Sequence, residues 1–262
     1  MKLSRQKLLK SCIYPIEVDQ ILGQVDQVLR TWEPCWTKFL SAPVREEIIA
    51  ILEGITDINY SSNGGYKNAE RQRIFIERTK QQEISSQHII PIDVIEIEGN
   101  FLFDRTEPKD FLKALIQAGL NEDLIGDIWV TGDKGAHVIC TPEASKAIDN
   151  QTGFIRDVKI TYKSIELSDL KLPHQREPRR LHTVEASRRL DAISSAGFGL
   201  SRAKIINQLK QGRLRLNWQP TNNASKALSK GDQLQLEGKG SIEVLNIEIT
   251  KKGRWRVELL RK

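Results

Sequence analysis

Ser201, Arg202 and Lys204 stand close together in this chain, and Lys210, Arg213 and Arg215 follow soon after them. Arginine presents a planar fork of donors that matches phosphate oxygens, and lysine adds a compact positive charge. A serine at this place is a typical helix N-cap, and the unpaired N–H groups at a helix start favour anions. The combination predicts binding to the phosphates of a polyanion.

The charge of the chain is unevenly distributed, which supports the same chemistry. Residues 171–262 carry a net charge of +12, whereas residues 1–170 carry −6. A basic module on an acidic body is typical of a protein that meets nucleic acid through one part of its surface. We therefore name as candidate phosphate-contact residues Ser201, Arg202, Lys204, Lys210, Arg213 and Arg215.

Other site chemistries find little support in the sequence. Three cysteines (12, 35 and 140) and four histidines (88, 137, 174 and 182) are widely spaced, so we predict no metal site, disulfide or cofactor. The pair Gly64-Gly65 could cradle a phosphate, but no Gly-Lys-Ser/Thr follows it, and a turn before a strand is the favoured interpretation. Since no catalytic motif appears either, we expect a protein that is not an enzyme.

The C-terminal elements that would hold the basic cluster show clear local signals. The pattern predicts a helix that Thr183 caps and that ends at Gly197, then a second helix over 202–211 capped by Ser201. A strand over 213–218 alternates basic and apolar residues, and another strand covers 233–236. Two final strands flank a turn at Lys252-Gly253.

The middle of the chain, residues 83–170, has the element order βαββαβ, with the last strand over 155–167. That order is shared by the ferredoxin-like sandwich and by RRM domains. RRMs stack bases on aromatic residues of their central strands, but the strands that we assign to those places, 128–130 and 137–140, lack the aromatic pair. Because residues 81–170 also total −8, we favour a scaffold or protein-contact role over base stacking.

The remaining segments complete a three-domain α+β prediction. Residues 1–80 read as a mainly helical domain, with the periodic positions Val18 to Leu29 in one helix and Ser41 capping another over 43–52. Residues 171–181 read as a basic linker, since two prolines and four basic residues leave no apolar period. The C-terminal domain then covers 182–262.

The C-terminal domain resembles the S4 RNA-binding domain. The resemblance lies in Arg189-Leu190-Asp191, Ser201-Arg202 with Lys204, Gln211-Gly212-Arg213-Leu214, Leu216-Asn217 and Lys230-Gly231-Asp232, followed by Gly238-Lys239-Gly240. It implies two helices packed on a small sheet, with a basic face that recognises structured RNA. With this resemblance, the candidate RNA-contact residues are Arg188, Arg189, Ser201, Arg202, Lys204, Lys210, Arg213, Arg215, Asn217 and Lys239. S4 domains also occur in pseudouridine synthases, but the first 170 residues carry no motif of their catalytic domain.

The whole chain is similar to YlmH-like proteins, whose cyanobacterial and plastid branch is the photosystem II S4 domain protein. Beside the S4 domain and the RRM-like middle, the similarity rests on Gly64-Gly65-Tyr66 and Ala69-Glu70-Arg71-Gln72-Arg73. It implies rRNA or tRNA as ligand and association with the large ribosomal subunit. The alternative that it leaves open is an interaction factor in photosystem II assembly or cell division, acting through the acidic middle domain.

The cellular setting is predicted from what the sequence lacks. No apolar run approaches the roughly 20 residues of a membrane span, and the basic N-terminus has no signal-peptide core. We therefore expect a cytoplasmic monomer that contacts no membrane.

Overall fold

The structure, a computed structural model, describes residues 5–66, 69–79, 89–170, 178–236 and 239–262. The chain divides into two compact units, Met1–Pro173 and His174–Lys262, and each has its own hydrophobic core. The first unit contains two sheets, and the second contains one. Of the predicted linker, residues 171–177 lie outside the described residues, as does Gly238.

The first part of unit one is a layer of helices on a small antiparallel sheet. Its helices are α1 (Arg5–Ser11), α2 (Pro15–Thr31) and α3 (Ala42–Leu52), and its strands are β1 (Cys35–Trp36), β2 (Ile58–Asn63) and β3 (Arg73–Arg78), in the order β1-β3-β2. In α2, Val18, Ile21, Val25 and Val28 share one buried face, as their spacing predicts. The mainly helical prediction is confirmed, including the turn and strand after Gly64-Gly65.

The middle part of unit one is a five-stranded antiparallel sheet with two helices on one face. Its elements are β4 (Asp93–Gly99), α4 (Pro108–Gln117), β5 (Ile125–Val130), β6 (Gly135–Cys140), α5 (Pro142–Ile148), β7 (Thr152–Ile155) and β8 (Val158–Ile165). The strand order β5-β6-β4-β8-β7 is that of a ferredoxin-like sheet with one extra edge strand. The strand predicted over 155–167 is present as β8. The chain turns before it at Arg156, whose φ is 53°, so Ile155 belongs to the preceding strand β7, which the sequence did not predict.

The centre of this sheet differs from the sequence-based assignment. The central strands are β4 and β6, whereas residues 128–130 lie in β5, at the edge. The face opposite α4 and α5 carries Trp129 and Ile139, and both are buried against Phe39 of the first part, together with Ile92. The central part of this face is therefore covered by the chain's own N-terminal region.

A polar network joins the two parts of unit one around Asp127. Its carboxylate accepts hydrogen bonds from the Tyr66 hydroxyl at 2.7 Å and from the backbone N–H groups of Glu70 and Arg71 at 2.7 and 2.9 Å. The Arg71 guanidinium donates to the carbonyl of Ile125 at 2.8 Å. The motif Gly64 to Arg73, which resembled the family's pattern, thus holds the N-terminal part against β5.

Unit two is a six-stranded antiparallel sheet with two helices packed on one face. It consists of β9 (Arg179–Glu185), α6 (Leu190–Phe198), α7 (Arg202–Lys210), β10 (Leu214–Leu216), β11 (Gln219–Pro220), β12 (Gln233–Leu236), β13 (Gly240–Ile249) and β14 (Trp255–Arg261). The strand order is β11-β10-β12-β13-β14-β9. Leucine, isoleucine and valine side chains from both helices and four strands form the core.

Two predictions at the start of this unit are wrong. Residues 179–181, assigned to the linker, open strand β9, and Thr183 lies inside that strand rather than at a helix cap. The first helix begins only at Leu190. The strand forms because β14 offers it a complete antiparallel partner, from Arg179 opposite Arg261 to Glu185 opposite Trp255. That partner lies about 70 residues further along the chain, outside the reach of any local pattern.

Candidate nucleic-acid interface

The first turn of α7 concentrates positive charge at a helix N-terminus. The Ser201 hydroxyl accepts a hydrogen bond from the N–H of Lys204 at 3.3 Å, so the predicted N-cap is present. Arg202 and Lys204 are exposed, and no acidic residue lies in this turn. Positive charge here opposes the helix macrodipole, whose positive end lies at the N-terminus. A bound anion would relieve that repulsion, so the arrangement favours a phosphate at this place.

One carboxylate contacts this turn from the neighbouring sheet. Glu185, at the end of β9, lies with Oε2 3.4 Å from Nη2 of Arg202, and it also accepts a hydrogen bond from the Thr183 hydroxyl at 2.7 Å. The Arg202 side chain remains 54% exposed in this pair, so its outer donors still face solvent. Sequence reasoning missed Glu185, since it placed this segment in a helix.

Arg188 and Arg189 precede α6 and have different surroundings. The Arg189 guanidinium forms a two-point pair with the buried Asp191, with Nε–Oδ1 at 2.9 Å and Nη2–Oδ2 at 3.1 Å. The hydrogen bond with Asp191 raises the pKa of Arg189. Arg188 lies over the Trp255 ring, with its guanidinium carbon 4.7 Å from the ring centre. Trp255 is a second residue that sequence reasoning missed, because only the pairing of β9 with β14 places it here.

The basic residues from the last turn of α7 into β10 have different surroundings. Lys210 lies in the last turn of α7, where the macrodipole favours a cation, and Gly212 follows with a φ of 68°. In β10, Leu214 and Leu216 are buried under the helices, so Arg215 between them lies on the opposite face of the sheet, beside Gln235. The strand therefore takes Arg215 away from the α7 start, while Arg213 is exposed just before β10.

Asn217 and Lys239 lie in turns of the same sheet. The Asn217 side chain donates to Asp232 at 2.9 Å and accepts from the N–H of Gln233 at 2.8 Å, in a turn where its own φ is 49°. Its amide thus joins the turn after β10 to the start of β12. Lys239 is exposed between β12 and β13.

Three family models match successive parts of this chain. Residues 15–81 match the family model "YlmH, N-terminal", residues 87–169 match "Putative RNA-binding domain in YlmH", and residues 188–234 match "S4 domain". The chain belongs to the YlmH-like family of S4-domain proteins. Nine of the ten candidate contact residues lie within the S4 match, and Lys239 lies just beyond it.

The chain is similar to a curated relative over most of its length and to a solved structure over part of it. The ribosome-associated protein quality control protein P2 of Bacillus subtilis (strain 168) is 28% identical over 243 residues, which is 92% of each chain. The cell division protein ylmH from Streptococcus pneumoniae is 20% identical, with a TM-score of 0.48 over 61% of this chain and 94% of that one.

The described residues differ from those of metal, thiol and membrane sites. In that part of the chain no three His, Cys, Asp or Glu side chains are placed to hold a metal ion. Burial raises the pKa of the Cys35 and Cys140 thiols, so both stay protonated near neutral pH and are poor nucleophiles. None of the described helices is both long and apolar enough to span a bilayer.

Proposed function

We propose that this protein is a non-catalytic RNA-binding protein that recognises structured RNA, rRNA or tRNA, on the large ribosomal subunit in the cytoplasm. The observation that carries the proposal is the first turn of α7, where a capped helix start and the exposed Arg202 and Lys204 together offer the donors and positive charge that suit a phosphate. Contacts of this kind follow the shape of an RNA backbone rather than its sequence. The name of the Bacillus subtilis relative supports the ribosome as the place of action.

The alternative, a protein-contact role for the acidic middle domain, has weaker support. Several of the acidic side chains that suggested it face the chain's own N-terminal part. Asp127 binds Tyr66 and the backbone after it, Asp123 pairs with Lys38, and Glu122 lies 3.7 Å from Arg71. These carboxylates have an intramolecular function, so the net charge of the domain overstates what it offers to a partner.

A binding series with one variant pair tests the proposed site. Replacing Arg202 and Lys204 together by alanine is expected to weaken the binding of a structured rRNA fragment by roughly 1–3 kcal/mol, alike for different sequences. The slope of log affinity against log salt should fall by about 0.9 for each lost phosphate contact. Affinity would be measured by fluorescence anisotropy over a range of salt concentrations.

The matched control removes two charges elsewhere in the same unit. Lys251 and Lys252 are exposed in the turn between β13 and β14, and their double alanine variant should bind more tightly than the Arg202/Lys204 variant. Equal losses for the two variants would mean a general charge effect rather than a site. A salt slope near zero for the unmodified protein would contradict phosphate binding altogether.

A further inference from the structure

The middle sheet of unit one has one covered half and one open half on the face opposite its helices. The covered half carries Trp129, 9% exposed, and His137, 2% exposed, whose rings meet edge to face with centres 6.3 Å apart. Tyr66 packs edge to face on Trp129 with ring centres 5.7 Å apart. The aromatic residues of β5 and β6 are therefore out of reach of an RNA base.

The open half lies on β7 and β8 and has a different composition. Phe154 is 62% exposed there, although a side chain as large and apolar as phenylalanine is ordinarily buried. Its neighbours Gly153 and Ile155 face the helix side, where Ile155 is buried in the core, so Phe154 points to the open face. The exposed Lys159 lies directly opposite Phe154 on β8.

Further along β8 the same face remains polar. Thr161, paired with Thr152, and then Lys163 follow Lys159 at every second position, so all three point to the open side. On β4, the exposed Glu98 lies opposite Thr161, and Glu96, which contacts His137 at 3.4 Å, lies opposite Lys163. The face thus presents one aromatic ring with a row of two lysines beside it.

The hairpin that carries this ring is held firmly in place. Arg156, in its turn, forms an ion pair with Asp104, donates to the carbonyl of Arg105 at 3.1 Å and pairs with Asp110 at 3.1 Å. These contacts attach the turn to the segment that leads into α4. A rigid platform favours stacking, since little conformational freedom is lost when a base binds.

We infer that the open half of the middle sheet, Phe154 with Lys159 and Lys163, is a second RNA-contact surface that binds an unpaired nucleotide. The base stacks on the Phe154 ring, and the lysines contact phosphates of the same RNA segment along β8. Stacking on an aromatic side chain is tolerant of base identity and needs a base that is not paired, whereas the α7 site needs only phosphates. The ligand is therefore a single-stranded segment of RNA, and the two sites have separable requirements.

The test uses the full chain and two probes of equal length, a labelled single-stranded oligouridylate and a blunt RNA duplex. The substitution Phe154→Ala is expected to weaken binding of the single strand about 5- to 150-fold and to change duplex binding less than about 2-fold. Phe154→Trp should retain the affinity, since it keeps an aromatic face. Replacing Lys159 and Lys163 by alanine should lower the salt slope for the single strand by about 0.7 per lost contact.

A control and a background variant make the outcome decisive. Ile116 is 45% exposed on α4, on the opposite side of the same domain, and Ile116→Ala should leave both affinities unchanged. The Arg202/Lys204 double alanine variant should lose duplex affinity while the effect of Phe154→Ala on the single strand persists in its background. If the Arg202/Lys204 variant loses duplex affinity but Phe154→Ala does not weaken binding of the single strand, the second surface is refuted and the proposed function stands.

Two other outcomes would also overturn the inference. Equal losses for single strand and duplex after Phe154→Ala would show that no unpaired base is bound there. A shift in sedimentation from dimer to monomer, with RNA binding unchanged, would assign the surface to self-association instead. Because the Phe154 side chain is exposed, neither Phe154→Ala nor Phe154→Trp should reduce the thermal stability of the fold. A melting curve for each variant would verify this.

Discussion

At the scale of single residues, the charged and polar side chains of the candidate site differ in how far they are bonded within the protein and how far they remain exposed to solvent. The guanidinium of Arg189 is turned onto Asp191, and the amide of Asn217 holds the turn to Gln233. Arg202 retains more than half of its side-chain surface despite its pair with Glu185. Among the predicted contact residues, Arg202 and Lys204 are therefore the better candidates for binding RNA, and Arg189 and Asn217 are the better candidates for a structural role.

Tyr66 provides a pH-dependent test of the contact between the two parts of unit one. Burial, and then the nearby Asp127, raise the pKa of its hydroxyl above the ordinary value of about 10. A group whose pKa is raised on folding stabilises the fold fully below its unfolded pKa, and this stabilisation decreases as the pH rises above it. The stability advantage of the unmodified protein over Tyr66→Phe should therefore shrink from pH 8 to pH 10.5, as measured by urea unfolding.

The control for this pH series is Tyr60→Phe. Burial, and then the charge of Glu53, raise the pKa of Tyr60 as well, but among the described contacts its hydroxyl has no carboxylate at hydrogen-bond distance. The pH dependence of its variant should be weaker. An advantage over Tyr66→Phe that stayed constant or grew with pH would contradict the account of Tyr66.

At the scale of elements, close packing at a glycine decides how the loop after β2 meets β3. A Cβ on Gly64 would lie 2.4 Å from Cβ of Ala69 and 2.5 Å from the carbonyl oxygen of Arg71. Both distances are far below van der Waals contact, and one of the neighbours is backbone, which cannot rotate aside. The motif around Gly64 is thus explained by packing, with no need for a phosphate.

Substituting this glycine should therefore be costly. Gly64→Ala is expected to destabilise unit one by about 1–3 kcal/mol, as overpacking commonly does, and to shift its urea midpoint downward. Gly23→Ala, in the middle of α2, is the matched control. There the nearest atom to an added Cβ is the flexible Arg5 guanidinium at 3.7 Å, so alanine should stabilise the helix by about 0.5–1 kcal/mol. Destabilisation by Gly23→Ala, or none by Gly64→Ala, would reject this explanation.

At the scale of the whole molecule, positive charge and a self-contained core occur in the same unit. Unit two has its own core of residues from both helices and four strands, and residues 171–262 carry a net charge of +12, whereas the whole chain carries +6. The proposed phosphate site therefore does not need unit one for its construction. Unit one instead supplies the separate surface around Phe154.

A fragment of residues 174–262 should accordingly fold alone and retain most of the affinity for duplex RNA. Its salt slope should equal that of the full chain, because the same phosphate contacts are made. Circular dichroism would establish folding, and anisotropy titrations would give the slope. A folded fragment without RNA affinity would show that the phosphate site requires residues of unit one.

Local patterns in the chain were sufficient for α2, α3, α7 with its Ser201 cap, and the turns at Gly212 and Gly253. Helix periodicity, capping and turn chemistry act over a few neighbouring residues, so they can be recognised without a structure. The charge asymmetry and the S4 resemblance together led to the candidate RNA site. The first is a sum over residues and the second lies in short motifs, so neither requires a structure.

Long-range pairing decided the rest. Strand β9 exists because β14 lies beside it, and that pairing also places Glu185 and Trp255 at the candidate interface. The middle domain has its aromatic residues of β5 and β6 covered, and Phe154 exposed, because the N-terminal part packs on one half of a sheet. Which face of a strand is buried depends on contacts between segments far apart in the chain, so no reading of spacing or composition could separate the covered half from the open one.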